Sequence, residues 1–273
     1  MMHSERRLIH TERTDTRDAG GARMARVKAG GIERDISLMV FDKDGLMFQS
    51  QPFWSHIGEM RIRMLSSCLN GEGIADWTKT FGLTVENGRV THTDPKGILA
   101  VASPGEETAV TAGMLVRRLG MNWAAARNAA EEVFRRADEA LDLKKALVPR
   151  AGFPDIFERL RQAGTGYAVA TSDTYARVAD SLALFGETVP EIVVFPEMVR
   201  HGKPAPDMLE LISERSGTPM DRIAMVGDSY VDVRMARSAG AFGIGVPETA
   251  EMRMEMMPYA DAVVETLDCI EIL

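Results

Sequence analysis

Apolar residues along this chain recur in two rhythms. The run Ile36-Ser37-Leu38-Met39-Val40 is short, apolar and bounded by turn residues, which predicts a buried strand. Similar runs follow at Tyr167–Ala170, Ile192–Phe195, Ile223–Val226, Phe242–Val246 and Ala262–Val264. Between them the period lengthens, with Ile156, Phe157 and Leu160 facing a core before Gly164 ends a helix. Further helices are predicted at Tyr175–Phe185, Pro206–Ser216 and Tyr230–Ala239. Strands that alternate with helices in this way predict a parallel sheet covered on both faces.

The stretch between the first two strands breaks that alternation. Pro52–Leu69 carries Phe53, Ile57, Met60, Met64 and Leu65 at helical spacing. Asn87-Gly88 between β-prone residues of Thr84–Thr91 predicts a hairpin, with a third strand at Ile98–Ala102. Helices at Glu106–Leu119 and Trp123–Leu147 flank Gly120, and Pro149–Pro154 returns the chain to the core. The expected fold is α/β: a Rossmann-like parallel sheet with helices on both faces, plus a mainly helical domain inserted after the first strand. Its divisions are a mobile tail over 1–34, a core of 35–48 and 150–273, and an insert over 49–149. Hinges are expected near Met47–Gln51 and Val148–Phe153.

Composition narrows the classes. With 273 residues and 45% apolar content the chain can bury a sizeable core, as one large or two modest domains. A net charge of −8 tells against nonspecific binding to nucleic acid. Cys68 and Cys269 are too few for a disulfide framework and have no metal spacing, so both are expected as buried thiols in a reducing cytoplasm. No apolar run reaches the roughly 18 residues of a membrane span, so a soluble, cytoplasmic protein without membrane partners is expected. The first 35 residues hold eight basic and six acidic side chains and the pairs Gly20-Gly21 and Gly30-Gly31, without the apolar region of a secretory signal. A mobile tail is expected there, or an over-extended start with Met24 as the initiator.

Candidate chemistry lies at the strand ends. The first strand runs into Phe41-Asp42-Lys43-Asp44-Gly45, two carboxylates at i and i+2 where open α/β sheets carry their sites. In isolation this is also an ordinary turn sequence. Three signals follow in order: Thr171-Ser172-Asp173, then His201-Gly202-Lys203-Pro204, then Gly227-Asp228-Ser229 with Asp232 one turn further on. Lys203 alone would read as a surface lysine, and Asp228 alone as a helix cap. Together, a carboxylate pair, a hydroxyl, a lysine and a second acidic pair make a metal-assisted phosphoryl-transfer site.

These four motifs resemble those of the haloacid-dehalogenase-like phosphatases, over roughly residues 36–265. The resemblance implies that Asp42 is the nucleophile that becomes an aspartyl phosphate and that Asp44 is the general acid/base. Thr171 and Lys203 would hold the phosphate, with Ser172 competing for the hydroxyl role. Asp42, the backbone carbonyl of Asp44 and Asp228 would hold Mg2+, supported by Gly45 and Asp232. The insert would be a cap that closes over the site and selects the substrate. Physical chemistry agrees with these roles. A carboxylate attacks a phosphate only when a hard divalent ion offsets both charges. Asp44 can protonate the leaving oxygen, which favours phosphate esters over carbon–halogen bonds. Lys203 and Thr171 stabilise charge on the phosphoryl oxygens.

Several residues depart from the family pattern or stay open. Gln49-Ser50-Gln51-Pro52 has amides where many capped relatives have acids, which tells against the sugar-phosphate mutase branch. Lys43 is expected behind the strand end or toward the cap, where it could contact substrate. Asp173 is expected as a helix cap, and Met252–Met257 as packing. His56, Arg61, Arg63, His92, Lys96 and Arg117 are candidate specificity contacts, whereas Pro52–Leu69 holds no lysine for a Schiff base. The expected activity is magnesium-dependent hydrolysis of a small phosphorylated metabolite such as phosphoglycolate, a sugar phosphate or a nucleoside monophosphate, by a monomer or homodimer. The alternatives are a phosphomutase and a catalytically idle module that binds a phosphorylated ligand.

Overall fold

The computed structural model describes residues 24–273. It begins with a hairpin, β1 (Ala25–Ala29) and β2 (Ile32–Ile36). Gly30 and Gly31 turn it with φ of 55° and 83°, the conformation that a two-residue hairpin loop demands. The hairpin corrects the expectation of a tail as far as residue 34. Ala25, Val27 and Ala29 alternate inward beneath the charged Arg26 and Lys28, and β1 pairs with the C-terminal strand Glu271–Ile272. Charge density masked that alternation in the sequence. The rest of the expected tail, including Gly20-Gly21, lies outside the described residues.

The main sheet starts with β3 (Leu38–Phe41), buried along its whole length. The chain then leaves through α1 (Ser50–Leu65), α2 (Gly71–Phe81), β4 (Leu83–Glu86), β5 (Arg89–Thr93), α3 (Ile98–Val101), α4 (Pro104–Leu119), α5 (Trp123–Glu139) and α6 (Leu143–Ala146). It returns through α7 (Asp155–Ala163), β6 (Gly166–Ala170), α8 (Tyr175–Leu184), β7 (Val193–Val194), α9 (Asp207–Ser216), β8 (Ile223–Gly227), α10 (Tyr230–Ala239), β9 (Phe242–Gly245), α11 (Ala250–Met256), β10 (Ala262–Val263) and β11 (Glu271–Ile272). Six strands lie in the order β10-β9-β8-β3-β6-β7, and every pairing is parallel. β3 therefore sits where the strand order reverses, the position at which open α/β sheets form a crevice at their carboxyl ends.

Both faces of β3 are covered, so both of its side-chain sets are apolar. Met39 and Phe41 pack on the α7 side, where the Phe41 and Phe157 rings meet edge to face at 5.3 Å. Leu38 and Val40 pack with Met208, Leu209 and Ile212 of α9 and with Met235 of α10.

The insert differs from expectation in several places. The Asn87-Gly88 hairpin forms as β4 and β5, with φ of 51° and 76° at those two residues. Helix α2 was not expected; Asn70 caps it by accepting from the Gly73 N–H at 2.9 Å, and Gly82 ends it in the left-handed conformation. The proposed strand at Ile98–Ala102 is instead the single helical turn α3, which buries Leu99 and leaves Val101 exposed. Such a short apolar run carries no period long enough to separate the two states. The helix expected over Trp123–Leu147 breaks after Glu139. In the methionine-rich stretch, now α11, Met252 and Met256 pack inward one turn apart while Met254 and Met257 are exposed. Cys68 and Cys269 are exposed, not buried: Cys68 falls in the turn after α1 and Cys269 ends a single 3-10 turn, Leu267–Cys269. The two connections of the insert run side by side: the Gln49 N–H donates to the Val148 carbonyl at 2.8 Å and the Arg150 N–H to that of Met47 at 2.9 Å. Among the described residues, no helix is long and apolar enough to cross a membrane.

Candidate active site

The site grows from the end of β3. The Asp42 N–H still donates to the Val226 carbonyl of β8 at 3.0 Å, so Asp42 occupies the last rung of the sheet with its side chain over the carboxyl edge. The chain then reverses at Gly45, whose φ is 83°. A Cβ at Gly45 would overlap the Asp228 carboxylate, so glycine there lets the first and last motifs approach.

The loop before α9 delivers Lys203, whose Nζ lies 2.6 Å from Asp42 Oδ1 and 2.6 Å from Asp232 Oδ1. Asp232 is fixed in turn, because its Oδ2 accepts from the Ser229 N–H at 3.2 Å and from the Ser229 hydroxyl at 2.7 Å. This capping box at the start of α10 aims the other oxygen at the lysine. Asp42, Asp228 and Asp232, all buried, each offer a carboxylate oxygen within 4.8 Å of the others.

Burial raises Asp42 to about 7, and neighbouring Asp232 and Asp44 add to the rise while Lys203 opposes it. Asp228 is pushed well above the usual carboxylate range, first by burial and then by Asp42, Asp232 and Glu248. Burial alone would lower Lys203, but Asp232 and Asp42 outweigh it and keep the ammonium protonated. Of these three buried carboxylates Lys203 pairs with two, Asp42 and Asp232, and leaves Asp228 without it in an all-oxygen donor set. That arrangement fits a hard divalent cation such as magnesium.

Asp44 stands apart from the three. Its carboxylate pairs with the Lys43 ammonium, and burial outweighs that pairing to raise its pKa. Thr171 closes β6: its N–H donates to the Val194 carbonyl at 3.0 Å, and its Oγ1 accepts from the Asp173 N–H at 3.1 Å. The hydroxyl proton of Thr171 is thereby directed elsewhere and free to donate. Ser172 lines the same cavity.

Two expectations need correction here. Lys43 is fully buried and does not line the cavity; it pairs with Asp44 and, at 3.0 Å, with Asp173, beneath the Phe53 ring. Asp173 is not the cap of α8. Thr174 is, accepting from the Arg177 N–H at 3.3 Å. Asp173 instead pairs with Arg177 at 3.0 Å, and Arg177 reaches Asp138 of α5 at 2.9 Å, tying core to insert. The spacing of four between Asp173, just ahead of the cap, and Arg177 in the first turn of α8 was the available sequence signal.

A cavity of about 620 Å³ lies between insert and core. Asp42, Asp44, Thr171, Lys203 and Asp228 line its floor, while Phe53, Trp54, Ile57 and Leu99 form an apolar wall. Of the candidate specificity contacts Arg61 and Lys96 line it; His56, Arg63, His92 and Arg117 do not. Lys96 reaches across to Glu251 at 3.0 Å and to Glu255, both on α11.

Comparison with known proteins gives a concordant result. Residues 36–240 match the family model described as haloacid dehalogenase-like hydrolase. The chain is 39% identical over 102 residues to the "Probable phosphatase IndB" of Dickeya dadantii, which covers 36% of this chain and 44% of that protein. It is 32% identical over 105 residues to the phosphonoacetaldehyde hydrolase of Nitratidesulfovibrio vulgaris, covering 37% and 38%. The chain thus spans less than half the length of these curated relatives. The crystal structure of CbbY from Rhodobacter sphaeroides in complex with phosphate aligns with a TM-score of 0.55 at 20% identity, over 85% of this chain and 95% of that one, a likeness of fold. With the family model matched over most of its length, the chain belongs to the haloacid dehalogenase-like hydrolases.

Proposed function

We propose that this protein is a magnesium-dependent phosphatase that hydrolyses a small phosphorylated metabolite through an aspartyl phosphate on Asp42. The observation that carries this reading is the convergence of Lys203 on Asp42 at the floor of a cavity shared with Thr171, Asp44 and Asp228. Asp42, Asp228 and the main-chain carbonyl of Asp44 would hold the magnesium ion, which supplies positive charge to offset nucleophile and phosphate.

The side chains then divide the work. Lys203 and the Thr171 hydroxyl bind the phosphoryl oxygens and hold phosphorus in line with Asp42. Asp42 attacks, and Asp44, whose pKa burial raises, is the group that gives a proton to the departing alkoxide. Asp44, now a carboxylate beside Lys43, takes a proton from water, and that water hydrolyses the aspartyl phosphate. Lys203 remains charged throughout, held so by Asp232. The insert acts as a cap: Phe53, Trp54 and Leu99 exclude water above the reacting phosphate, which strengthens every electrostatic interaction below.

The Schiff-base chemistry of a phosphonoacetaldehyde hydrolase would need an unprotonated amine. Lys96, the lysine that the insert presents to the cavity, is held protonated by Glu255 and Glu251. Release of inorganic phosphate from p-nitrophenyl phosphate, dependent on magnesium and abolished by a chelator, tests the reading. A phosphorylated isomer formed without phosphate release would identify a mutase instead. Tight binding of a phosphorylated ligand without turnover would identify an idle binding module.

A further inference from the structure

Apart from Lys96, the insert's wall of the cavity is apolar except for one charged pair. Arg61 of α1 and Glu107 of α4 are both buried, at 2% and 3% exposure, and both line the cavity. Arg61 Nη1 lies 2.8 Å from Glu107 Oε2, and the guanidinium rests over the Phe134 ring at 4.3 Å. Yet Nη1 is the one guanidinium nitrogen that meets Glu107, and Nε makes no hydrogen bond among the described residues. A guanidinium held only for stability would present its fork to the carboxylate in two parallel bonds. Nε is closed off from the cavity, whereas Nη2 is not and makes no hydrogen bond among the described residues, so Nη2 is the donor that a ligand in the cavity would satisfy.

The charges around the cavity define what that ligand can be. Its cationic side chains among the described residues are Arg61, Lys96, Arg177 and Lys203. Each already faces a carboxylate: Glu107, Glu251 and Glu255, Asp138 and Asp173, and Asp42 and Asp232 respectively. A second phosphate or a carboxylate on the substrate would meet no uncompensated cation and would lose its hydration against Phe53, Trp54 and Leu99.

We infer that Arg61, oriented by Glu107, is a specificity-determining residue that donates to a neutral oxygen acceptor on the leaving group. The substrate class is then a phosphate monoester whose organic part is uncharged and largely apolar, bearing a carbonyl or similar acceptor. Bisphosphates and phosphorylated carboxylic acids are disfavoured. This rests on the reading of the cavity as a phosphate-ester site.

The test is calorimetric titration of non-hydrolysable phosphonates into the full-length, magnesium-loaded protein, so that it does not depend on turnover. The probes are benzylphosphonate, its 3- and 4-acetyl derivatives and 4-carboxybenzylphosphonate. At least one acetyl compound is expected to bind about tenfold tighter than benzylphosphonate, as one charge-assisted hydrogen bond in a dry site provides, and the carboxylate to bind weakest. Arg61→Met is expected to erase the acetyl advantage. Should that variant fold poorly with Glu107 unpaired, Arg61→Met combined with Glu107→Gln removes both charges and is read the same way. A carboxylate that binds as tightly as the acetyl compounds, or an acetyl preference that survives loss of Arg61, overturns the inference. Absence of phosphate release from the matching phosphate esters, with the acetyl preference intact, would refute the phosphatase reading and leave the Arg61 contact standing.

Discussion

The ammonium of Lys203 stands 2.6 Å from the carboxylate of Asp42, although 161 residues separate them in the chain. The contact brings the third motif onto the first across the edge of the sheet, and Asp232 secures the lysine from the other side. Lys203→Met is expected to lower kcat by about 10²- to 10³-fold, the scale of removing one preorganised charge from a phosphoryl or oxyanion site. It also leaves Asp42 and Asp232 buried without their cation, which costs about 3–5 kcal/mol. Steady-state phosphate release and urea denaturation, run on the same preparation, check the two effects. Full activity in the variant would show that Lys203 serves the fold alone.

Asp44 is assigned two proton transfers, and the quality of the leaving group separates them. In Asp44→Asn, p-nitrophenolate needs no proton to depart, so one equivalent is expected in a rapid burst, followed by slow release of phosphate as water attacks unaided. An alkyl phosphate is expected to show no burst and a loss of about 10²- to 10⁴-fold, the usual contribution of a positioned acid. Stopped-flow absorbance at enzyme concentrations near that of substrate distinguishes the cases. Equal losses with both esters and no burst would remove Asp44 from the acid role.

The carboxylates at the site give the metal-free protein a particular dependence on pH. Burial raises Asp42 to about 7 and Asp228 well above the usual carboxylate range. In the unfolded chain both titrate near 4, at about the model-peptide value. Groups raised in this way favour the folded state fully below their unfolded pKa, and that stability is lost as pH rises through the folded pKa. Metal-free protein is therefore expected to melt at a lower temperature at pH 8 than at pH 6. Magnesium is expected to remove most of that difference, and Asp228→Asn to flatten it. Differential scanning calorimetry at the two pH values reads this directly; a higher melting temperature at pH 8 without metal would contradict the assignment.

Gly45 couples backbone conformation to the acidic cluster. Gly45→Ala combines a φ of 83° with an overlap between the new methyl group and the Asp228 carboxylate. The expected result is a magnesium affinity weaker by more than about tenfold, equivalent to 1.4 kcal/mol, with a fold that still melts cooperatively. Calorimetric titration of magnesium checks it. Unchanged affinity would mean that Asp228 does not contribute to the cation site.

The main sheet was legible because its strands are buried on both faces and read as uninterrupted apolar runs, as Leu38–Phe41 does. The motif residues were legible for a related reason: strand ends in such a sheet have few places to go, so Asp42, Thr171 and Asp228 emerge along one edge. Less was visible where the outcome depends on partners. β1 alternates correctly, but its lysine and arginine disguise it, and its strand partners include β11 at the far end of the chain. α3 is too short to carry a period, and α2, bounded by Asn70 and Gly82, buries Trp77 and Phe81 one turn apart, a pattern that was overlooked. Lys43 and Arg177 were missed as a network because the three acids they pair with, Asp44, Asp173 and Asp138, come from separate segments. The same holds for Arg61 and Glu107, which no spacing rule connects.

Nucleophilic attack by Asp42 is tested most directly by replacing it with asparagine, which keeps the shape and removes the attacking charge. With circular dichroism and melting behaviour confirming the fold, Asp42→Asn is expected to release no phosphate from p-nitrophenyl phosphate above background in saturating magnesium. Acid-quenched wild-type protein mixed with substrate is expected to carry one phosphoryl group at residue 42. A variant that retains turnover within about tenfold of the wild type, far less than the loss that follows removal of an essential nucleophile, would contradict the covalent mechanism.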